Sequence, residues 1–187
     1  IPAHKAKGHE YLKSCLCRPF IPEIFPGYDI YMWMDSDTWV QNWDSVEMYL
    51  HGARKTNRIV LTNGSDRHTT KHTRVKWIWR WPYRVSSFYF SNARRAYGFA
   101  MAKKLHSVHT LLAGAYAMKA TLPHWKQWQK RVVEASQKGK LFTAEQLSLG
   151  ITVYVDGYEA EILPLNVNWL MSIKPLWDDG KKEFVER

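Results

Sequence analysis

Cysteine is nearly missing from this sequence. Cys15 and Cys17 are the two present in 187 residues, and one intervening residue gives them neither an easy mutual bridge nor zinc-site spacing. A disulfide scaffold is thereby excluded, and so few thiols fit a reducing compartment. Long apolar runs are missing as well: none approaches the roughly 18 residues of a membrane span. No signal peptide opens the chain, which starts Ile1-Pro2 without Met, as a cut piece of a longer protein would. Internal repeats and low-complexity tracts are absent. Acidic residues are outnumbered, 17 Asp and Glu against 27 Lys and Arg, for a net charge of +10. Such a field attracts anionic partners, whether nucleotide diphosphates, anionic lipid surfaces or nucleic acid, without choosing among them.

What is present is an ordinary globular balance, 45% hydrophobic and 24% charged, in a chain of one-domain length. Ten tryptophans are the unusual feature. The stretch that organises the rest runs from Tyr28 to Val40, and its apolar part, Ile30 to Met34, predicts a buried strand. That strand stops at Asp35 and Asp37, two carboxylates one residue apart. Charges at the end of a buried strand are unfavourable unless something compensates them. In an open α/β sheet, ligands bind at the carboxyl ends of the strands. Two hard oxygen ligands there suit Mg²⁺ or Mn²⁺, which take one or two carboxylates plus substrate phosphates. The competing expectation is a solvated turn at Asp35-Ser36-Asp37, because Asp and Ser favour turns.

Around that stretch a helix is expected from about residue 9 to Cys17. The prolines of the following segment, Arg18 to Pro26, limit it to a short turn of helix and a loop. Asn42 or Asp44 caps a helix reaching about Leu50. Arg58 to Thr62 predicts a strand ended by the Asn63-Gly64 turn. Residues 65–90 are the least readable: a polar, basic piece, then Trp77, Trp79, Trp81, Tyr83, Phe88 and Tyr89 with cations between them. The Trp alternation predicts an edge strand with one buried face, while aromatics interleaved with cations also suit base or sugar stacking or a membrane interface. His68 and His72, four apart, would bind zinc only on a helix, and their polar surroundings predict a loop. Asn92 to Lys104 predicts an amphipathic helix. His109 to Lys119 predicts a strand, with Gly114 where a ligand can approach the backbone closely. Leu122-Pro123 opens a helix carrying Trp125 and Trp128, closed by a Gly139 C-cap. Thr143 and Gln146 predict a capping box for the next helix, which gives Glu145 and Gln146 a local role. Ala160 to Leu163 is the last expected strand.

Four segments together resemble a GT-A-type glycosyltransferase, of the family that includes bacterial lipopolysaccharide galactosyltransferases and glycogenin. In the family's order they are Arg18 with Phe20 to Pro26; Tyr31 to Val40 with its Asp-x-Asp; Leu111 to Met118 around Gly114; and Phe142 to Gln146 followed by Ile162 to Trp169. The resemblance implies a single α/β domain over residues 1–187, with a mixed, mostly parallel central sheet flanked by helices. This is a Rossmann-like arrangement lacking the family's N-terminal nucleotide-binding strand, since only 34 residues precede Asp35. The family's third metal ligand is a C-terminal histidine, and none follows His124. A partial chain is therefore expected.

The activity implied is transfer of a sugar from a nucleotide-sugar, a UDP-sugar above all, to a saccharide or glycolipid acceptor, with retention and with Mn²⁺ or Mg²⁺ as cofactor. Asp35 and Asp37 would be catalytic and hold the metal, which neutralises the diphosphate leaving group. Glu145 and Gln146 would lie by the reacting sugar, and Arg18, Ser36, Gly114, Asn168 and Trp169 would bind substrate. The resemblance also implies peripheral contact with an anionic membrane, no specific nucleic acid, and a cytoplasmic or peripheral-membrane location (the Golgi lumen in a eukaryote). Two other readings stay open. An apolar strand ending Asp-x-Asp also resembles haloacid-dehalogenase-like phosphatases, with Asp35 as nucleophile and Asp37 as general acid, although Trp39 stands where that family has Thr or Val. A basic, aromatic module using Arg74 to Arg84 would bind nucleic acid or membrane and leave the two aspartates incidental.

Overall fold

The computed structural model describes residues 7–8, 11–64, 73–168 and 175–185, with backbone alone at 73–78 and 81–88. His68, His72 and Trp169 lie outside the described residues. In chain order the elements are α1 (Tyr11–Cys17), α2 (Ile21–Ile24), β1 (Ile30–Met34), α3 (Trp43–Lys55), β2 (Ile59–Asn63), β3 (Thr73–Ile78), β4 (Trp81–Ser87) and α4 (Phe88–Tyr97). Then follow α5 (Phe99–Lys104), β5 (Leu111–Lys119), α6 (His124–Lys138), α7 (Ala144–Tyr154), β6 (Ala160–Ile162), β7 (Leu176–Asp178) and β8 (Glu183–Val185). Short 3₁₀ turns at Arg18–Phe20, Leu141–Thr143 and Leu165–Val167 complete the list.

The central sheet is mixed, with strand order β1-β5-β2-β6. β5 runs antiparallel to both its neighbours, and β2 and β6 are parallel. Three of the four strands therefore point the same way, yet only one bonded pair is parallel, which corrects the expectation of a mostly parallel sheet. Alternation in β1 explains its place. Tyr31 and Trp33 face one layer of the core, and Ile30, Met32 and Met34 face the other. The first layer is large and holds α1, α4, α6 and α7; the second is thin and lies under α3. A sheet covered on both sides reads as a near-continuous apolar run, as β5 does.

β5 does not keep its phase. Leu111 and Ala113 face the large layer, but so do Tyr116 and Met118, while Ala115 and Ala117 face the thin one. The pairing with β2 jumps from Leu61↔Tyr116 to Thr62↔Leu112, so residues 113–115 have no partner on β2. Gly114 sits at the centre of that bulge, where an interior glycine marks a departure from regular pairing.

Several local expectations meet tertiary contacts that outrank them. Asn42 does cap α3, accepting from the Asp44 N–H at 2.9 Å, but the helix continues to Lys55. The expected helix over residues 92–104 is two helices broken at Gly98. The Trp-rich segment is a separate two-stranded hairpin, β3–β4, turning at residues 79–80, rather than a single edge strand. Gly139 does end α6, but with an extended backbone (φ −72°, ψ 177°) instead of a left-handed cap. Glycine is needed there because a Cβ would stand 2.5 Å from the Ala135 carbonyl and 2.9 Å from Asn92 Oδ1. Trp125 and Trp128 belong to the core: their indole N–H groups bond the carbonyls of Lys119 and Glu145, and both rings pack edge-on against Tyr116. Among the described residues no helix is long and apolar enough to cross a membrane.

Candidate functional site

The exit of β1 carries Asp35, whose backbone N–H continues the ladder by bonding the Gly114 carbonyl at 2.8 Å. The next residues turn at once, with the Thr38 N–H bonding the Asp35 carbonyl at 3.0 Å. The expected turn and the expected carboxylate pair therefore coexist. Asp35 Oδ1 accepts from Trp33 Nε1 at 2.8 Å and from Arg18 Nη2. The same guanidinium donates through Nη1 to Glu145 Oε1 at 2.8 Å and lies over the Trp33 ring, 5.3 Å from its centroid. Arg18 itself is held by its own carbonyl, which accepts from the buried Tyr116 hydroxyl at 3.0 Å. Asp35 Oδ2 points at the bulge, where a Cβ on Gly114 would come within 2.9 Å of it.

One cation between two carboxylates does not satisfy both. Glu145 is 2% exposed, and burial pushes its carboxyl up to about 7 even though Arg18 pulls the other way. Burial opposes the Arg18 charge, but Glu145 and Asp35 outweigh it and its pKa is raised. Arg18 Nε is buried without a hydrogen-bond partner. Removing one carboxylate from such a set would leave a desolvated charge poorly compensated.

In front of Asp35 opens a cleft of about 630 Å³, lined by Asp35, Asp37, Gly114, Gln146 and Asn168 together with apolar side chains such as Met34, Trp39 and Leu112. Asp37 is exposed and makes no ion pair among the described residues. Gln146 Nε2 donates to the Leu111 carbonyl (2.8 Å), and Asn168 Nδ2 to Thr62 Oγ1 (3.2 Å). Tyr49 forms part of the wall. Its hydroxyl is aimed at the Thr62–Asn168 pair without making a well-formed hydrogen bond, and burial pushes it up to about 12.

No protein-family model, curated protein or solved structure matches the chain. What the site can do must be read from its own geometry.

Of the residues singled out from the sequence, five meet at the cleft: Asp35, Asp37, Gly114, Gln146 and Asn168. Arg18 and Glu145 are not part of the lining: Arg18 pairs with Asp35, and Glu145 pairs with Arg18. Ser36 is exposed on the turn and is not part of the lining. The capping box is corrected. Thr143 makes no side-chain cap and instead accepts from Asn92 Nδ2 at 2.8 Å, while Gln146 turns to β5. Trp33, Gln41 and Tyr49 were not anticipated as site residues, and only the strand's own alternation could have pointed to Trp33.

Among the described residues there is no cluster of three or more His, Cys, Asp or Glu side chains able to hold a metal ion. A closed protein cage is therefore not what these residues form. An exposed Asp37 lining the same cleft as Asp35 fits the other pattern, in which a hard divalent cation takes one or two carboxylates and completes its shell from water and substrate phosphates.

Proposed function

We propose that this protein is a GT-A-type glycosyltransferase that uses a nucleotide-sugar donor, with Asp37 and Asp35 as ligands for Mn²⁺ or Mg²⁺. The observation that carries this reading is the pair of acids at the end of β1. One is clamped by Arg18 and Trp33, the other makes no ion pair among the described residues, and both line one cleft against a glycine bulge. A clamped carboxylate offers a fixed position, a free one can adapt to a ligand, and the missing Cβ leaves room for a bulky polar group. When bound, the cation would neutralise charge on a departing diphosphate. The chain's own residues do the rest: Arg18 holds Asp35 in place, Gln146 and Asn168 offer amide groups to a sugar or ribose, and the apolar wall excludes water. The same clamp speaks against the phosphatase reading, in which Asp35 would have to be an unencumbered nucleophile.

The test is thermal unfolding with a panel of UDP-sugars, with and without Mn²⁺, followed by a hydrolysis or transfer assay on the donors that bind. A ligand at a hundredfold excess over its Kd raises stability by about 2.7 kcal/mol. Asp37→Ala is expected to melt like the parent, lose the Mn²⁺-dependent shift, and turn over at least about 100-fold more slowly. Undiminished turnover in that variant would falsify the metal role.

A further inference from the structure

The β3–β4 hairpin takes no part in the reading above. It reverses through Trp79 and Arg80, and two-residue hairpin turns need left-handed backbone, which is why Asn and Gly dominate them. Here a tryptophan adopts that conformation, with φ of 57°. Trp79 is also 94% exposed, the highest value among the large hydrophobic residues described. Backbone strain and an indole in water are both unfavourable, and at 94% exposure the indole gains little packing among the described residues. Strain that persists in this way points to a function for the residue.

The order of residues along the hairpin indicates what the function is. Next to the turn, Ile78 pairs with Trp81 and Trp77 with Pro82; behind them Lys76 pairs with Arg84 and Arg74 with Ser86. At about 3.3 Å per residue, apolar positions over roughly 7–10 Å at the turn end are followed along the strands by cationic ones. Depth in a bilayer interface has the same order, with Trp at the boundary of the acyl chains and Lys and Arg at the anionic headgroups. Arg80 sits in the turn itself, and its long stem lets the guanidinium reach back to the headgroup level. A single-stranded nucleic-acid site spreads its stacking aromatics along a groove, whereas here Trp77, Trp79 and Trp81 gather at the turn end.

We propose that the hairpin docks the protein on anionic lipid bilayers, with Trp79 entering the interface and the positions of Arg74, Lys76 and Arg84 at the level of the headgroups. Two described residues outside the hairpin, Gly64 and Tyr89, bond the start of β5. The Gly64 N–H bonds the Thr110 carbonyl at 2.7 Å, and the Leu111 N–H bonds the Tyr89 hydroxyl at 2.8 Å. Thr110 lines the cleft, so the Gly64 contact stands at its edge. Only the consequence that the acceptor is carried on a lipid rests on the transferase reading; the docking does not.

The experiment is co-sedimentation of the full chain with vesicles of phosphatidylcholine alone or mixed with phosphatidylglycerol, at low and high salt. Binding to the mixed vesicles and release by salt are expected. Trp79→Asn, which suits the turn better, should melt at or above the parent's temperature and yet partition about tenfold less. Replacing Arg74, Lys76 and Arg84 together by Gln should weaken binding by about 100-fold, at roughly fivefold per charge. The proposal is overturned if the parent ignores mixed vesicles, if Trp79→Asn binds them equally, or if that variant melts lower. Tighter binding to a single-stranded oligonucleotide than to the vesicles overturns it as well. Vesicle binding without any effect of UDP-sugars would leave the docking standing and the transferase reading fallen.

Discussion

Arg18 decides the charge state of the candidate site, because among the described residues it is the one cation bonded to both Asp35 and Glu145. Glu145 sits deep enough that its folded carboxyl titrates near 7, against 4.5 in the open chain. The native state therefore holds that proton more tightly across the window between those values. The stability so contributed is complete below pH 4.5 and lost as pH rises towards 7, on the order of 3 kcal/mol in all. Urea unfolding of the parent and of Glu145→Gln at the two ends of the window checks this, the variant being expected to lose most of the slope. Gly114→Ala tests the other side of Asp35. Its new Cβ must displace an oxygen that Arg18 and Trp33 hold through the other arm of the carboxylate, at a cost of about 1–3 kcal/mol. Any ligand-induced thermal shift should shrink with it, and an unchanged shift would show the bulge to be irrelevant to binding. The two aspartates were legible in the sequence because a buried run ends on them abruptly. The Arg18–Glu145 pair was not: 127 residues separate its members, and the local pattern around Glu145 imitates a capping box.

Among elements, those whose apolar period is long and unbroken were legible: β1, β5 and α6 fall within a few residues of expectation, and α3 starts where expected but runs five residues further. What escaped was decided by contacts between elements. The β3–β4 turn lacks the Asn or Gly that announces a hairpin, and the α6–α7 connection is shaped by a residue on α4. Asn92 donates from Nδ2 to the Lys140 carbonyl and to Thr143 Oγ1, and accepts the Lys140 N–H at 2.7 Å, closing the connection over Gly139. Asn92→Ala leaves those groups without partners and should cost about 2–3 kcal/mol, a melting point lower by about 5–10 °C. A loss within about 0.5 kcal/mol would mean that the connection holds without the clasp. The start of α6 gives a pH signature opposite to that of Glu145. His124 donates from Nε2 to the Glu159 carbonyl at 2.8 Å, and its Nδ1 is buried without a partner, so burial lowers its pKa from 6.5. A neutral imidazole is what the fold accepts. Stability is whole above pH 6.5 and falls as pH drops below it, because the unfolded chain binds the proton more readily. His124→Gln should flatten that acid-side fall in the same urea series.

At the scale of the molecule, the cleft is assembled from parts that are remote in sequence: the end of β1, the start of β5, the first turn of α7, residues 166–168 and Phe184 of the last hairpin. Composition could indicate an anionic ligand, through a charge of +10, but not which segments would converge on it. The β7–β8 hairpin shows how loosely one wall is attached. Two-stranded hairpins are marginal by themselves in water. Among the described residues, the hydrogen bonds tying this one to the body are two, both at Gln41, just after the Asp35–Thr38 turn. The Gln41 amide donates to the Phe184 carbonyl at 3.1 Å and accepts the Phe184 N–H at 2.6 Å, so a side chain pairs with β8 as a neighbouring strand would. Wall and acidic turn are thereby coupled through one residue. Gln41→Ala should speed amide exchange across residues 176–185 by about tenfold or more while global stability changes by less than about 1 kcal/mol, since the core layers contain no part of that hairpin. If the wall helps to close the cleft on a ligand, adding the best-binding UDP-sugar with Mn²⁺ should slow exchange there in the parent and much less in the variant. Equal protection in both proteins would place the hairpin outside the binding event and leave Gln41 with a purely local role.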